Sequence, residues 1–129
     1  MSRTAIATGG APAAIGPYSQ GMRVGSLVFT AGQIALDPVS QQMVSGGIAE
    51  QTKRVFENLQ AILKEAGSGL NRVVKATVYL KSMDDFAAMN TVYDAYMRSQ
   101  DGDPPARTTV EVSRLPKNAL VEIDVVAEC

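Results

Sequence analysis

Few residues in this chain can do chemistry, and three of them stand in unusual places. Arg107 follows Pro104 and Pro105 at the head of an alternating run, "PPARTTVEV". The prolines keep the approach extended, so the guanidinium sits on a stiff strand end. A planar fork held in that way matches a carboxylate through two parallel charged hydrogen bonds, each worth about 1.5–3 kcal/mol. The plainer alternative is a solvated arginine on an edge strand. Glu122 interrupts a second alternating run, "LVEIDVVA", and Asp124 shares its face with Leu120 and Val126. A carboxylate among apolar neighbours lies at an exposed edge, is paired, or has a raised pKa. Parity alone does not decide whether Arg107 and Glu122 meet. A simple hairpin through "PKNA" would leave them several positions out of register. Asn90 lies one turn after Phe86 and one turn before Tyr93 and Asp94, at the margin of a helical apolar stripe. It is either solvated or turned to a site. Tyr18, after "IGP", stacks on a planar ligand or packs. Gly32, in "TAGQ", lets backbone N–H groups approach a ligand or marks a bulge.

Absent residues narrow the chemistry further. The chain has no His and one Cys, Cys129, its last residue. The commonest general base and metal ligand are therefore missing, and triads built on Ser–His or Cys–His are excluded. An internal disulfide needs two cysteines, so a reducing compartment is expected, and Cys129 is expected to be inert. Any reaction must rest on Arg, Lys, Asp, Glu, Tyr, Ser, Thr or backbone groups.

The elements that position these residues fit one domain, 1–129. A chain of 129 residues with 46% apolar and 19% charged side chains is of globular composition and buries about 70% of its unfolded surface. A net charge of −1 without a Lys/Arg run is not the footprint of a nucleic-acid binder. No apolar stretch is long enough to span a bilayer or serve as a secretory signal, so a cytoplasmic location is expected. "SQGMRVGSLVFTAGQI" reads as a hairpin around Gly25-Ser26, and "LDPVSQQMVSGG" as a turn-rich loop. Ile48, Thr52, Val55, Phe56, Leu59, Ile62, Leu63 and Ala66 recur at helical spacing, with Gly67 placed to stop the helix. "RVVKATVYLK" alternates as a strand, Val74, Ala76, Val78 and Leu80 facing one way. A second helix starts near Ser82 with Asp85 completing a capping box, carries Phe86, Met89, Tyr93, Tyr96 and Met97 inward, and ends at "SQDGDPP". Ala106–Leu115 and Leu120–Ala127 are the last strands. The order β, β, β, α, β, α, β, β predicts an α+β fold, two helices on one face of a sheet of about six strands. Leu27, Phe29, Leu120 and Val126 make the other face substantially apolar, which predicts that it meets another subunit.

"PARTTVEVSRLPKNALVEIDVVA" resembles the C-terminal signature of the reactive intermediate imine deaminase (RidA/YjgF) family. "GPYSQG", "FTAGQI", "VVKATVYL" and "FAAMNTVYDAYM" match its other blocks in the same order. The resemblance implies a chorismate-mutase-like mixed sheet whose last two strands are not hairpin partners. It also implies a homotrimer with sites between subunits. The implied activity is hydrolysis of 2-aminoacrylate-type enamines and imines to 2-keto acids and ammonia, without cofactor or metal and with no nucleic-acid or membrane partner. Position by position, Arg107 matches the carboxylate-binding arginine and Glu122 the glutamate that positions water. Tyr18 matches the tyrosine beside the substrate, Gly32 the glycine of the contacting turn, and Asn90 the site-lining asparagine. Ala31 departs from the Ser of many members and removes a hydroxyl contact. Thr109 stands in the substrate-binding region where some members have Cys, so no thiol chemistry is expected. Two other readings remain: a non-catalytic ligand-binding or regulatory trimer, and an endoribonuclease or translation inhibitor.

Overall fold

The computed structural model describes residues 2–98 and 102–129. Six strands form one mixed sheet: β1 (Arg3–Ile6), β2 (Gly21–Val24), β3 (Leu27–Thr30), β4 (Val73–Leu80), β5 (Ala106–Glu111) and β6 (Val121–Glu128). Their order is β1-β2-β3-β6-β4-β5. All pairs are antiparallel except β4 and β5, whose parallel pairing needs the crossover that helix α2 (Phe86–Met97) supplies. The final strands are thus not hairpin partners: β6 lies between β3 and β4, while β5 is an edge. This is the expected α+β architecture.

Alternation in β6 divides the molecule into two sides. Val121, Ile123, Val125 and Ala127 are buried, while Glu122, Asp124 and Val126 point the other way and are half-buried. The buried side packs under helix α1 (Ile48–Glu65), whose Val55, Phe56, Leu59, Ile62 and Leu63 are fully enclosed, and under α2 through Met89, Tyr93 and Met97. At the end of α1, Gly67 has φ +82. Its N–H bonds to the Lys64 carbonyl and that of Ser68 to Leu63, the paired bonds of a left-handed glycine stop.

Both helices lie on one side, and the loop after β3 borders the other only at the Glu122 end, leaving Phe29 uncovered. Asn58 of α1 holds that loop by donating to the carbonyls of Ile34 and Leu36 at 3.2 and 3.1 Å. Phe29 on the open side remains 44% exposed. The open side is less uniformly apolar than the sequence reading has it. Met22, Val24, Leu27, Phe29 and Val126 occupy one half. The other half is polar, where Tyr79 donates to Asp124 at 3.1 Å and Lys75 to Thr108 at 2.6 Å.

Three local expectations are corrected. The second helix has no capping box: Ser82 accepts from the Asp84 N–H, caps a 3-10 turn over Met83–Asp85, and α2 proper starts at Phe86. A register shift between Val73 and Lys75 buries Val73 and exposes Val74, because a bulge reverses the parity. Strand β5 stops at Glu111 rather than Leu115. The stop assigned to "SQDGDPP" falls partly on residues 99–101, outside the described residues. Cys129 is docked, its N–H bonded to the Ser26 carbonyl.

Candidate active site

The sheet sends Arg107 and Glu122 to opposite sides. Arg107 is the register partner of Ala76, whose side chain is buried beneath the helices. Glu122 pairs with Tyr79 on the open side. Each belongs to its own cavity.

Arg107 lies against α2. Its Nη1 donates to Asn90 Oδ1 at 2.6 Å, and its guanidinium carbon sits 4.6 Å from the Tyr93 ring centre and 5.5 Å from that of Phe86. Among the described residues it has no carboxylate partner. Around it is a cavity of about 350 Å³ walled by Asn90, Tyr93, Met97, Pro104 and Pro105, with Asp94 and Arg98, paired to each other, also on its lining. A half-enclosed guanidinium whose described hydrogen-bond partner is the neutral Asn90 amide is suited to receive an anion. Thr109 follows on the same side of β5, not on the cavity wall, with its Oγ1 buried and without a partner among the described residues.

Glu122 opens on a larger cavity of about 600 Å³, whose lining includes Tyr18, Gln20, Gly32, Ile34 and Lys117. Burial pushes its carboxyl above the ordinary 4.5, and the neighbouring Asp124 charge adds to that shift. No hydrogen-bond donor meets it among the described residues. The wall beside it is a bulge: Phe29 pairs with Val126 and Gln33 with Ile123, so Thr30, Ala31 and Gly32 oppose only Asp124 and Val125. Thr30 Oγ1 accepts from the Val125 N–H at 3.0 Å. Gly32 leaves room for the Glu122 side chain, which a Cβ would push aside. A Cβ there would lie 2.9 Å from the Glu122 carboxyl carbon and closer still to Oε2. The bulge reading of Gly32 thus holds, and the space it leaves is taken by the Glu122 carboxylate. Tyr18 stands at the rim, 54% exposed.

The sequence reading missed several supports. Gln20, 4% exposed, donates to the carbonyls of Thr8, Ala11 and Pro12 and accepts from the Thr8 N–H, tying the N-terminal loop beside Tyr18. Phe86 and Tyr93 read as core stripe, yet with Asn90 they stand at i, i+4 and i+7. That spacing puts all three on one helix face and was the available signal. Gln41 and Lys117, on the rim of the Glu122 cavity, have φ 61 and 55, and Asn118 beside Lys117 has φ 54. They are the only non-glycine positive φ values among the described residues. No group of three His, Cys, Asp or Glu side chains that could hold a metal occurs among those residues, and no helix there is long and apolar enough to cross a membrane.

With this geometry in place, comparison with known proteins settles the class. The chain belongs to the family described as Endoribonuclease L-PSP, the RidA/YjgF group, which it matches over residues 8–129. It is 54% identical to a RutC family protein of Pyrococcus abyssi, over 98% of both chains. It is 45% identical to the 2-iminobutanoate/2-iminopropanoate deaminase of Salmonella typhimurium, again over 98% of both. A solved structure of E. coli TdcF with bound serine superposes with a TM-score of 0.92 at 37% identity, covering 98% of each chain. The family thus includes named imine deaminases alongside members with other names.

Proposed function

We propose that this protein hydrolyses 2-imino acids, the tautomers of 2-aminoacrylate-type enamines, to 2-keto acids and ammonia. One observation carries the reading: among the described residues, a guanidinium without a counter-ion and a carboxylate without a donor, each opening on its own cavity. Because they lie on opposite sides of one sheet, two copies must combine to complete a site. The open sheet face and the family both favour a homotrimer with its sites between subunits. In that assembly, Arg107 of one copy grips the substrate carboxylate, with Asn90 holding the fork. The neighbouring copy brings Tyr18 beside the substrate, the Gly32 turn, and Glu122.

The reaction asks little of the protein. Fixing the carboxylate turns an encounter into an oriented attack. Water adds to the iminium carbon as Glu122 takes its proton, forming the C–O bond. The proton then returns to nitrogen, the C–N bond breaks, and ammonia leaves as the hydroxyl gives its proton to the Glu122 carboxylate and the carbonyl forms. A carboxyl with a raised pKa is better matched to accepting and returning that proton near neutrality. The serine bound by E. coli TdcF carries the carboxylate this reading requires.

The test couples a serine or threonine dehydratase to the protein and follows keto-acid release. Arg107→Lys should lower kcat/KM about 10- to 100-fold, since a point charge cannot replace the fork. Glu122→Gln should lower kcat at least about 100-fold with little change in KM. Full activity in Arg107→Lys would remove the clamp, and unchanged turnover in Glu122→Gln would remove the base. A binding protein without turnover would bind keto acids yet give no acceleration in any form. The absence of His and of a Lys/Arg run counts against the endoribonuclease reading.

A further inference from the structure

The arginine of the candidate site is cradled by an aromatic bed. Phe86, Asn90 and Tyr93 share one face of α2, and all three touch Arg107 across the gap to β5. Tyr93 is the nearer ring and is itself braced. Its ring meets Phe56 of α1 edge-on, with centroids 5.7 Å apart at 69°, and Phe56 is fully buried. Tyr93 is only 7% exposed, yet its hydroxyl has no hydrogen-bond partner among the described residues. A buried, unpartnered phenol costs stability that phenylalanine would not. The face of the ring, rather than the hydroxyl, is what Arg107 meets.

The geometry points to Tyr93 as a positioning residue for the deamination, its π face stabilising and orienting the Arg107 guanidinium while Asn90 takes one N–H and the remaining donors stay open for the substrate carboxylate. A carboxylate in that place would neutralise the cation too, but it would occupy the same N–H groups as the substrate. A ring face stabilises the charge and leaves the in-plane donors free. Bracing by Phe56 ties the orientation of the fork to the interior of the molecule. The inference rests on the reading of Arg107 as the carboxylate clamp.

The test replaces Tyr93 in the full-length protein by Phe, by Leu, and by phenylalanines carrying one, two and three ring fluorines, with kinetics in the coupled assay and a thermal melt for each. Fluorination drains the ring face of negative potential while nearly preserving its shape. KM should stay within about twofold for Phe and rise stepwise with fluorine number. It should reach roughly three- to twentyfold for the trifluoro ring and for Leu, with kcat within about twofold. A packing role would give no such gradient. A flat fluorine series beside an impaired Arg107→Lys overturns this inference alone, as does Phe failing as badly as Leu. A fully active Arg107→Lys overturns the clamp and this inference with it. Should the Leu variant not fold, the fluorinated series decides by itself.

Discussion

Glu122 sits where its charge is unwelcome. Burial first, and Asp124 second, raise its pKa in the folded chain above the ordinary 4.5. The folded state therefore holds the proton more tightly than the unfolded one. Its contribution to stability is fully present below pH 4.5 and is lost as pH rises through the folded value. Replacing Glu122 by Gln should raise the melting temperature at pH 7–8 and leave it near that of the parent below pH 4, read by thermal melts across that range. A fall in stability at neutral pH would mean that the carboxylate is compensated by a partner. The same substitution is expected to cost turnover, which is the ordinary exchange of stability for activity at a strained site. Much at this scale was legible. Glu122 stood out as an acid in an apolar strand, Arg107 as a cation on a stiff one. Tyr93 did not, because an aromatic in a helical stripe reads as core and only the fold shows which cation lies against it. Gly32 was visible, but that its missing side chain makes room for the Glu122 carboxylate was not.

Elements were read from periodicity, and they fail where periodicity is broken on purpose. Strand β6 and helix α1 followed their patterns to within a residue or so of their ends. At the start of β4 a bulge inverts the faces of Val73 and Val74, and no alternation rule sees an extra residue. Ser82 does cap, but it caps a 3-10 turn before α2, since neighbouring acids satisfy the same pattern in either helix. Among the described residues, the turn before β6 carries two adjacent non-glycine positive φ values. Lys117 (φ 55, ψ 28) and Asn118 (φ 54) both lie in the left-handed region, and the Ala119 N–H bonds back to the Pro116 carbonyl at 3.0 Å. Asn tolerates this conformation and Lys does not. Lys117→Gly should stabilise the protein by about 1 kcal/mol, a rise of about 4 °C in melting temperature. A drop would show that the Lys117 side chain contributes more than its backbone costs.

At the scale of the whole molecule, the sheet separates the two functional groups, and sequence could not show that. Strand parity is relative, so which side of the sheet each run presents becomes fixed only when β5 and β6 take their places around β4. Assembly from two copies then makes a sharp prediction. Arg107→Lys and Glu122→Gln chains, each impaired alone, should reach about one quarter of parental kcat/KM when unfolded together and refolded in equal amounts, as random assortment in the proposed cyclic trimer requires. A mixture no more active than its separate chains, with mixed oligomers verified by mass spectrometry, would mean that both groups serve one and the same chain's site.

The bed of α2 and the bulge beside β6 share no side chain, and that division has an evolutionary reach. Under the proposed function, changes around Arg107 can retune the grip on the acid group while the half that holds Glu122 stays untouched, and the reverse holds equally. A duplicated gene could therefore specialise one half at a time, its product still productive in company with the ancestral chain.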